Sequence, residues 1–351
     1  MKLRSGKIIS VPNVVRKPDV DMTDLTNDSI PSTSTDPKVI NNSEMLSSNV
    51  ALQPATLKYL NYKQFRDSAL RQVFSLPASI MYYVAKNPPS AEVYQKMIQS
   101  CKYFFIKNPI IFLHCLHFSD RNRWKTCIDR TCYLDPSKNR RYRKINLNLD
   151  KIKSKIWIGF RINVGSKNAA IASSVIPKLY NGHVKKFALF YQKILFNELL
   201  FISKSMESCY LQESTVCYQN GNEVPYEITL SNLPQLKKIF YGRRNSFYDF
   251  SKTAAELLKI PHLKNLTDFV LAEISDSFDI DLFFKYLKQN TKTTIGLKFN
   301  GLLSFQYTEK LQAFTDEILE AEMPRAYLPP GICFEGQLRQ NELRKLWEKY
   351  V

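Results

Sequence analysis

Six short segments of β-type residues recur along the chain at intervals of 29, 25, 27, 30 and 29 residues. They begin at residues 155, 184, 209, 236, 266 and 295. Segments with a helical spacing of apolar residues lie between several of them, at 168–180, 196–205, 253–260 and 279–290. A strand and a helix that repeat in this way predict a parallel sheet with helices on one side, because parallel strands need a long crossover connection.

The period of the repeat is typical of a leucine-rich-repeat solenoid, in which each strand–helix unit buries its apolar face against its neighbours. The segments LPQLKKIF (233–240) and IPHLKNLTDFVL (260–271) are the most repeat-like. Leu343 and Trp347 indicate a C-terminal capping helix, which a solenoid needs. We therefore predict a leucine-rich-repeat-like α/β domain over residues 143–351. A layered α/β domain with a parallel sheet is the alternative fold.

Composition divides the rest of the chain into three segments. Residues 1–55 are rich in Ser, Thr, Asn, Asp and Pro and poor in aromatics, which predicts a disordered tail. Residues 56–118 are predicted to form a helical domain, and residues 119–142 a basic linker. The basic opening MKLRSGK, with Arg16 and Lys17, has the composition of a nuclear-import signal.

The helical segment has clear boundary signals. The spacing of apolar residues predicts one helix over 57–74. Pro77 suits the first turn of a second helix, and Asn87-Pro88-Pro89 ends it because proline lacks a backbone donor. Ser90 is a predicted N-cap for the next helix, with Glu92 in its first turn.

Residues 76–110 resemble an F-box, whose motif opens with Leu-Pro and ends about thirty residues later in an apolar-Cys-Lys-x-aromatic signature. The matching residues are Leu76-Pro77, Ile80, Met81, Val84, Ile98, Cys101-Lys102 and Phe104. Ala78 and Ser79 replace the acidic residues that often follow Leu-Pro in the family, and Phe104 or Phe105 stands where Trp is frequent. The whole chain is similar to nematode F-box-like proteins, in which the F-box precedes an irregular leucine-rich-repeat region.

The resemblance implies a non-catalytic substrate-recognition adaptor of a cullin-RING ubiquitin ligase, without a cofactor. The F-box helices would dock on a Skp-family adaptor, and the repeats would bind an unknown protein substrate. The residues expected to contact the adaptor are Leu76, Pro77, Ile80, Met81, Val84, Met97, Ile98 and Phe104. The other interpretation of these residues is that they form the core of a helical subdomain within a scaffold that makes no ligase contacts.

The formal charge of +18 raises nucleic acid as an alternative partner. Between Asp120 and Lys155 the sequence has twelve Lys and Arg residues against four Asp. Trp124 and Tyr142 lie among these cations, as in proteins that bind single-stranded nucleic acid. The candidate basic patch comprises Arg140, Arg141, Arg143 and Lys144.

Metal and catalytic chemistry find little support in the sequence. His114, His117, Cys127 and Cys132 are potential zinc ligands, but their spacing matches no zinc-finger pattern, and we predict no metal. The four histidines and ten glycines form neither a nucleophile–base motif nor a phosphate loop, so we predict that the protein is not an enzyme. Seven scattered cysteines and the lack of a signal-peptide or membrane-length apolar run indicate a cytoplasmic or nuclear protein.

Overall fold

Parallel strands joined by helices dominate the structure. The computed structural model describes residues 62–121, 123–127, 145–242, 248–301 and 303–351. Its strands are β1 (Ile110–Ser119), β2 (Arg123–Thr126), β3 (Ile145–Asn146), β4 (Lys155–Gly165), β5 (Lys186–Phe190), β6 (Lys193–Leu195), β7 (Ser208–Gln212), β8 (Thr215–Cys217), β9 (Lys238–Gly242), β10 (Asp268–Ile274), β11 (Thr294–Phe299) and β12 (Gly331–Cys333). Its helices are α1 (Tyr62–Asp67), α2 (Ala78–Lys86), α3 (Ala91–Ser100), α4 (Lys102–Lys107), α5 (Ile171–Val175), α6 (Phe196–Ile202), α7 (Tyr226–Ser231), α8 (Thr253–Leu258), α9 (Ile280–Leu287), α10 (Phe305–Glu320) and α11 (Gln340–Glu348).

Ten of the strands form one sheet in the order β12-β11-β10-β9-β7-β5-β4-β1-β2-β3. All neighbours from β1 to β12 pair parallel, whereas β2 pairs antiparallel with both β1 and β3. From β4 onward, a helix separates each strand of this sheet from the next along the chain. The prediction of a mixed α/β fold with a parallel sheet is therefore confirmed.

A backbone hydrogen bond repeats where successive strands begin. Glu207 N–H donates to the Lys185 carbonyl at 2.8 Å, and Lys237 N–H donates to the Glu207 carbonyl at 2.9 Å. Thr267 N–H then donates to the Lys237 carbonyl at 2.7 Å, and Thr294 N–H to the Thr267 carbonyl at 2.8 Å. These bonds join the start of each strand to the start of its neighbour and satisfy backbone groups that would otherwise lack a partner.

Alternation along the strands decides which side chains form the core, since successive side chains point to opposite faces of a sheet. At equivalent positions of β5, β7, β9, β10 and β11, one face carries side chains that are almost fully buried under the crossover helices. They are Phe187, Cys209, Ile239, Phe269 and Ile295. The other face of the same strands is not covered by these helices and is described below as the open face.

The strands predicted at 155, 184, 209, 236, 266 and 295 correspond to β4, β5, β7, β9, β10 and β11. The helices predicted between them and the C-terminal helix are also present, as α5, α6, α8, α9 and α11. The helix predicted over 57–74 is wrong over its last part, because α1 ends at Asp67. Leu70 and Val73 are exposed there, so packing does not stabilise a helix.

The division into domains at residues 55, 118 and 142 stays a prediction. Within the predicted helical domain, helices end at Lys107 and residues 110–119 form strand β1 of the sheet. The predicted tail at 1–55, the import segment within it and most of the basic linker lie outside the described residues, although Arg123–Thr126 of the linker form β2.

Candidate functional site

An apolar stripe runs along α2 and faces solvent. Leu76 lies just before the N-cap of the helix, and Ile80 and Val84 follow on one helix face, four residues apart. The exposed fractions of these residues are 51%, 46% and 37%. Pro77 is also exposed and occupies the N-cap position, while Tyr83 adds an exposed ring beside the stripe. Exposed apolar side chains on adjacent helical turns are typical of a protein interaction site.

The opposite face of α2 packs on the other two helices of this segment. Met81 and Phe104 belong to one apolar cluster and are only 7% and 8% exposed. Met97 and Ile98 are partly buried against the same cluster. The resemblance assigns Met81 and Phe104 to adaptor contacts. Both residues instead lie in the interior, on the side of α2 opposite to the stripe. Leu76, Pro77, Ile80 and Val84 of the expected set remain accessible.

The helix boundaries in this segment follow the sequence signals. The Ser90 side chain accepts a hydrogen bond from the Val93 N–H at 3.2 Å, which confirms the predicted N-cap of α3. Asn87 ends α2, where both its backbone N–H and its side-chain amide donate to the Tyr83 carbonyl. The double proline that follows keeps α2 and α3 as separate helices.

Buried hydrogen bonds fasten these helices to the sheet. The Tyr94 hydroxyl of α3 donates to the Asn108 carbonyl at 2.6 Å and accepts from the Ile110 N–H at 3.1 Å, at the start of β1. The Asn108 side chain in turn donates to the Ala85 carbonyl of α2 at 3.0 Å. The Tyr94 ring lies 5.9 Å from the Trp157 ring of β4. Sequence reasoning missed these anchors, since a tyrosine within an apolar helix face gives no sign of its partners.

Replacing Tyr94 with Phe is expected to lower the free energy of unfolding by about 1–3 kcal/mol, because a buried N–H and a buried carbonyl would lose a partner. Burial raises the pKa of Tyr94 to about 12. The hydroxyl must stay protonated to donate, so its contribution is present below the ordinary pKa of about 10 and is lost as the pH rises toward 12. Urea unfolding measures the effect, with Tyr83→Phe on the exposed surface as the control.

The open face of the sheet carries a row of cationic side chains that crosses several neighbouring strands. Strand pairing aligns Arg161, Lys186 and Lys238 on β4, β5 and β9, with Ser208 on the intervening strand β7. Lys238 is paired with Asp268 of β10, with 2.8 Å between Nζ and the carboxylate. Partial burial, followed by the charges of Arg161 and Lys238, lowers the pKa of Lys186. A cation in this situation favours an anionic partner, which would relieve the repulsion.

Aromatic side chains lie in the next rows of the open face. The rings of Tyr210 and Phe240 on β7 and β9 are stacked, with centroids 4.2 Å apart and planes inclined by 14°. Phe190 of β5 lies beside Tyr210, with 5.3 Å between centroids. All three rings are partly exposed. The open face therefore combines a half-buried aromatic surface with an adjacent row of positive charge.

At the far end of the open face, α11 forms one wall of a groove with a volume of about 320 Å³. Its floor includes Val270 and Gly296, which continue the row of Phe240 across β10 and β11. Trp347 closes the groove, and a Cβ atom added to Gly331 would lie only 2.9 Å from its indole ring. Glycine on β12 is therefore required for the close approach of this helix to the sheet.

Two sets of residues singled out in the sequence have different outcomes. Arg140, Arg141, Arg143 and Lys144 lie outside the described residues. Of the potential zinc ligands, the structure brings together His117 and Cys127 with a third residue, Cys115. The ring of His114 instead stacks on Phe160, with centroids 5.2 Å apart. The cluster was missed because Cys115 and Cys127 meet only through the pairing of β1 and β2.

Comparisons with protein-family models, with curated proteins and with solved structures found no match to this chain. Among the helices that the structure describes, none is both long and apolar enough to cross a membrane.

Proposed function

We propose that the protein is a non-catalytic substrate-recognition adaptor of a cullin-RING ubiquitin ligase, in which α2 docks on a Skp-family adaptor. The observation that carries this proposal is the exposed stripe of Leu76, Ile80 and Val84. It lies in the segment that resembles an F-box, on a helix whose other face is packed and whose C-terminal end is capped by Asn87. Each side chain would contribute about 1 kcal/mol when its remaining exposed apolar surface is buried by a partner.

The region after the helices is proposed to be a leucine-rich-repeat-like solenoid. The sequential order of the parallel strands, the helix in each connection and the recurring backbone hydrogen bond at the strand starts support this proposal. In such an architecture, each unit contacts its neighbours and the open sheet face is available to a ligand.

The open face is the proposed substrate-binding surface. Tyr210 and Phe240 suit apolar side chains of a partner, and Lys186 suits an acidic one, so the expected ligand is an acidic protein segment with apolar anchors. Binding there would raise the effective concentration of substrate lysines near the ubiquitin carrier without chemistry in this chain. The proposed location is the cytoplasm, the nucleus or both.

Co-purification with a Skp-family adaptor from the same organism tests the proposal. The wild type is expected to capture the adaptor, and the Leu76→Ala, Pro77→Ala double variant is expected to lose most of this capture. Leu70→Ala, Val73→Ala is a matched control that removes exposed apolar residues before the stripe. A wild type that is folded but captures no adaptor would contradict the proposal and leave the scaffold interpretation.

Binding of single-stranded nucleic acid is the second candidate function, because stacked aromatics beside cations are a known platform for unpaired bases. The stacked pair Tyr210–Phe240 beside Lys186 and Lys238 favours it. Phosphate binding weakens steeply with salt. A titration of an oligonucleotide at two salt concentrations tests this function in the wild type and in two variants. One variant carries Lys186→Ala and Lys238→Ala together. The other carries Arg140→Ala, Arg141→Ala and Arg143→Ala together. Binding that no variant weakens would exclude both basic surfaces.

A further inference from the structure

Two cysteines and a histidine meet at the junction of β1 and β2. Cys115 and His117 are two residues apart on β1 and lie on the same face, opposite to Leu116 and Phe118, which enter the main core. His117 pairs with Lys125 of β2, and the antiparallel register continued by two residues sets Cys127 opposite Cys115. Strand pairing thus brings together three side chains of metal-binding types. The outermost two, Cys115 and Cys127, are twelve residues apart in the sequence.

The spacing of the ligand atoms fits a single metal ion. The two Sγ atoms and a ring nitrogen of His117 all lie within 4.8 Å of one another. Cys127 Sγ is 3.9 Å from His117 Nε2. Zinc bonds of about 2.3 Å to sulfur and about 2.0–2.1 Å to nitrogen place tetrahedral ligands roughly 3.5–3.8 Å apart. Small side-chain rotations are therefore sufficient to bring the three atoms to bonding distance of one ion.

The surroundings hold the ligand side chains in place. The backbone N–H of Cys127 donates to Cys115 Sγ at 3.4 Å, which fixes the two cysteines beside each other. Strand pairing places Arg161 next to Cys115 on the neighbouring strand β4. All three ligand residues are buried, and the two cysteines form an apolar cluster of their own, separate from the main core.

We propose that Cys115, His117 and Cys127 form a zinc site that ties the end of strand β2 to β1. Two thiolates and one imidazole are a soft donor set that prefers zinc to the oxygen-seeking cations. The fourth tetrahedral position is open to a water molecule or to a further donor. A metal ion there would stabilise this end of the sheet locally, since β2 and β3 are short antiparallel strands at the end of a long parallel sheet. This site is independent of the proposed adaptor function.

Cobalt(II) titration of the full chain under reducing conditions tests the site, because cobalt occupies zinc sites and reports thiolate ligands by charge-transfer absorption. The wild type is expected to bind one equivalent with thiolate-to-cobalt bands, which zinc then displaces. His117→Gln, Cys115→Ser and Cys127→Ser are each expected to weaken binding by about 100-fold or more, since even residues that only orient ligands change affinity by about 10–100-fold. Cys333→Ser, at a partly exposed thiol outside the cluster, should bind as the wild type does.

Two results would overturn the site. The first is a folded wild type that takes up no cobalt and whose thermal unfolding temperature does not change with zinc or with a chelator. This measurement needs no variant, so it holds even where a cysteine substitution fails to fold. The second is undiminished thiolate-to-cobalt absorption in the Cys115→Ser and Cys127→Ser variants, which would assign the bands to other cysteines.

Discussion

Replacing Phe269 with Ala is expected to lower the free energy of unfolding by about 3–5 kcal/mol, because the loss of a buried ring combines a transfer cost with a cavity cost. Phe269 is 1% exposed and lies on β10, between two crossover helices. Its ring is 6.2 Å from that of Tyr226 on α7 and 6.1 Å from that of Phe283 on α9. The cavity would therefore open between neighbouring strand–helix units and loosen both.

Urea unfolding followed by circular dichroism measures this loss. Phe305→Ala is the matched control. Phe305 is 76% exposed at the first turn of α10, so its substitution removes the same side chain without leaving a cavity. The control is expected to change stability by less than about 0.5 kcal/mol. Equal losses in the two variants would show that Phe269 is not part of a shared core.

The regular part of the fold could be predicted from the sequence because its pattern is local. In β9, Ile239 and Tyr241 face the helices while Lys238 and Phe240 face away, and this alternation is visible in the printed residues. The interval between such segments then predicts parallel pairing, since each connection is long enough for a crossover helix. Neither step requires knowledge of a distant contact.

Among the elements that the sequence did not predict, β1 and α10 were missed for different reasons. Residues 110–118 form a nearly continuous apolar run, which does not distinguish a fully buried strand from a buried helix. The long helix α10 has a signal that could have found it: Tyr307, Leu311, Thr315 and Ile318 are its buried residues, at spacings of four, four and three. The mixture of a hydroxyl and a phenol among these positions hid the apolar face.

Which residues lie on the candidate surfaces depends on packing contacts within the chain that a sequence does not show. Ile80 and Met81 are adjacent apolar residues of one helix, yet Met81 packs on Phe104 while Ile80 faces solvent. Which of them can contact an adaptor is decided by where α4 lies. Likewise, Tyr210 and Phe240 are thirty residues apart in sequence, and only the register of β7 and β9 stacks them.

Under the proposed adaptor function, replacing Ile80 with Asp is expected to weaken binding of a Skp-family adaptor about 100-fold, which corresponds to about 2.8 kcal/mol. Ile80 is the central residue of the stripe between Leu76 and Val84. A carboxylate there loses the apolar contact and must also be desolvated without a partner, and the second cost is the larger one. Folding should change little, because Ile80 is exposed and its helix is held by Met81 and Ala85.

Isothermal titration of the purified chain with the adaptor gives the two affinities. Ile228→Asp is the matched control, since Ile228 is an exposed isoleucine on the unrelated helix α7 and receives the same charge. The control should bind as the wild type does. If Ile80→Asp also keeps the wild-type affinity, the stripe is not the adaptor contact. If both variants lose affinity equally, the added charge acts through the net charge of the chain rather than through a local contact.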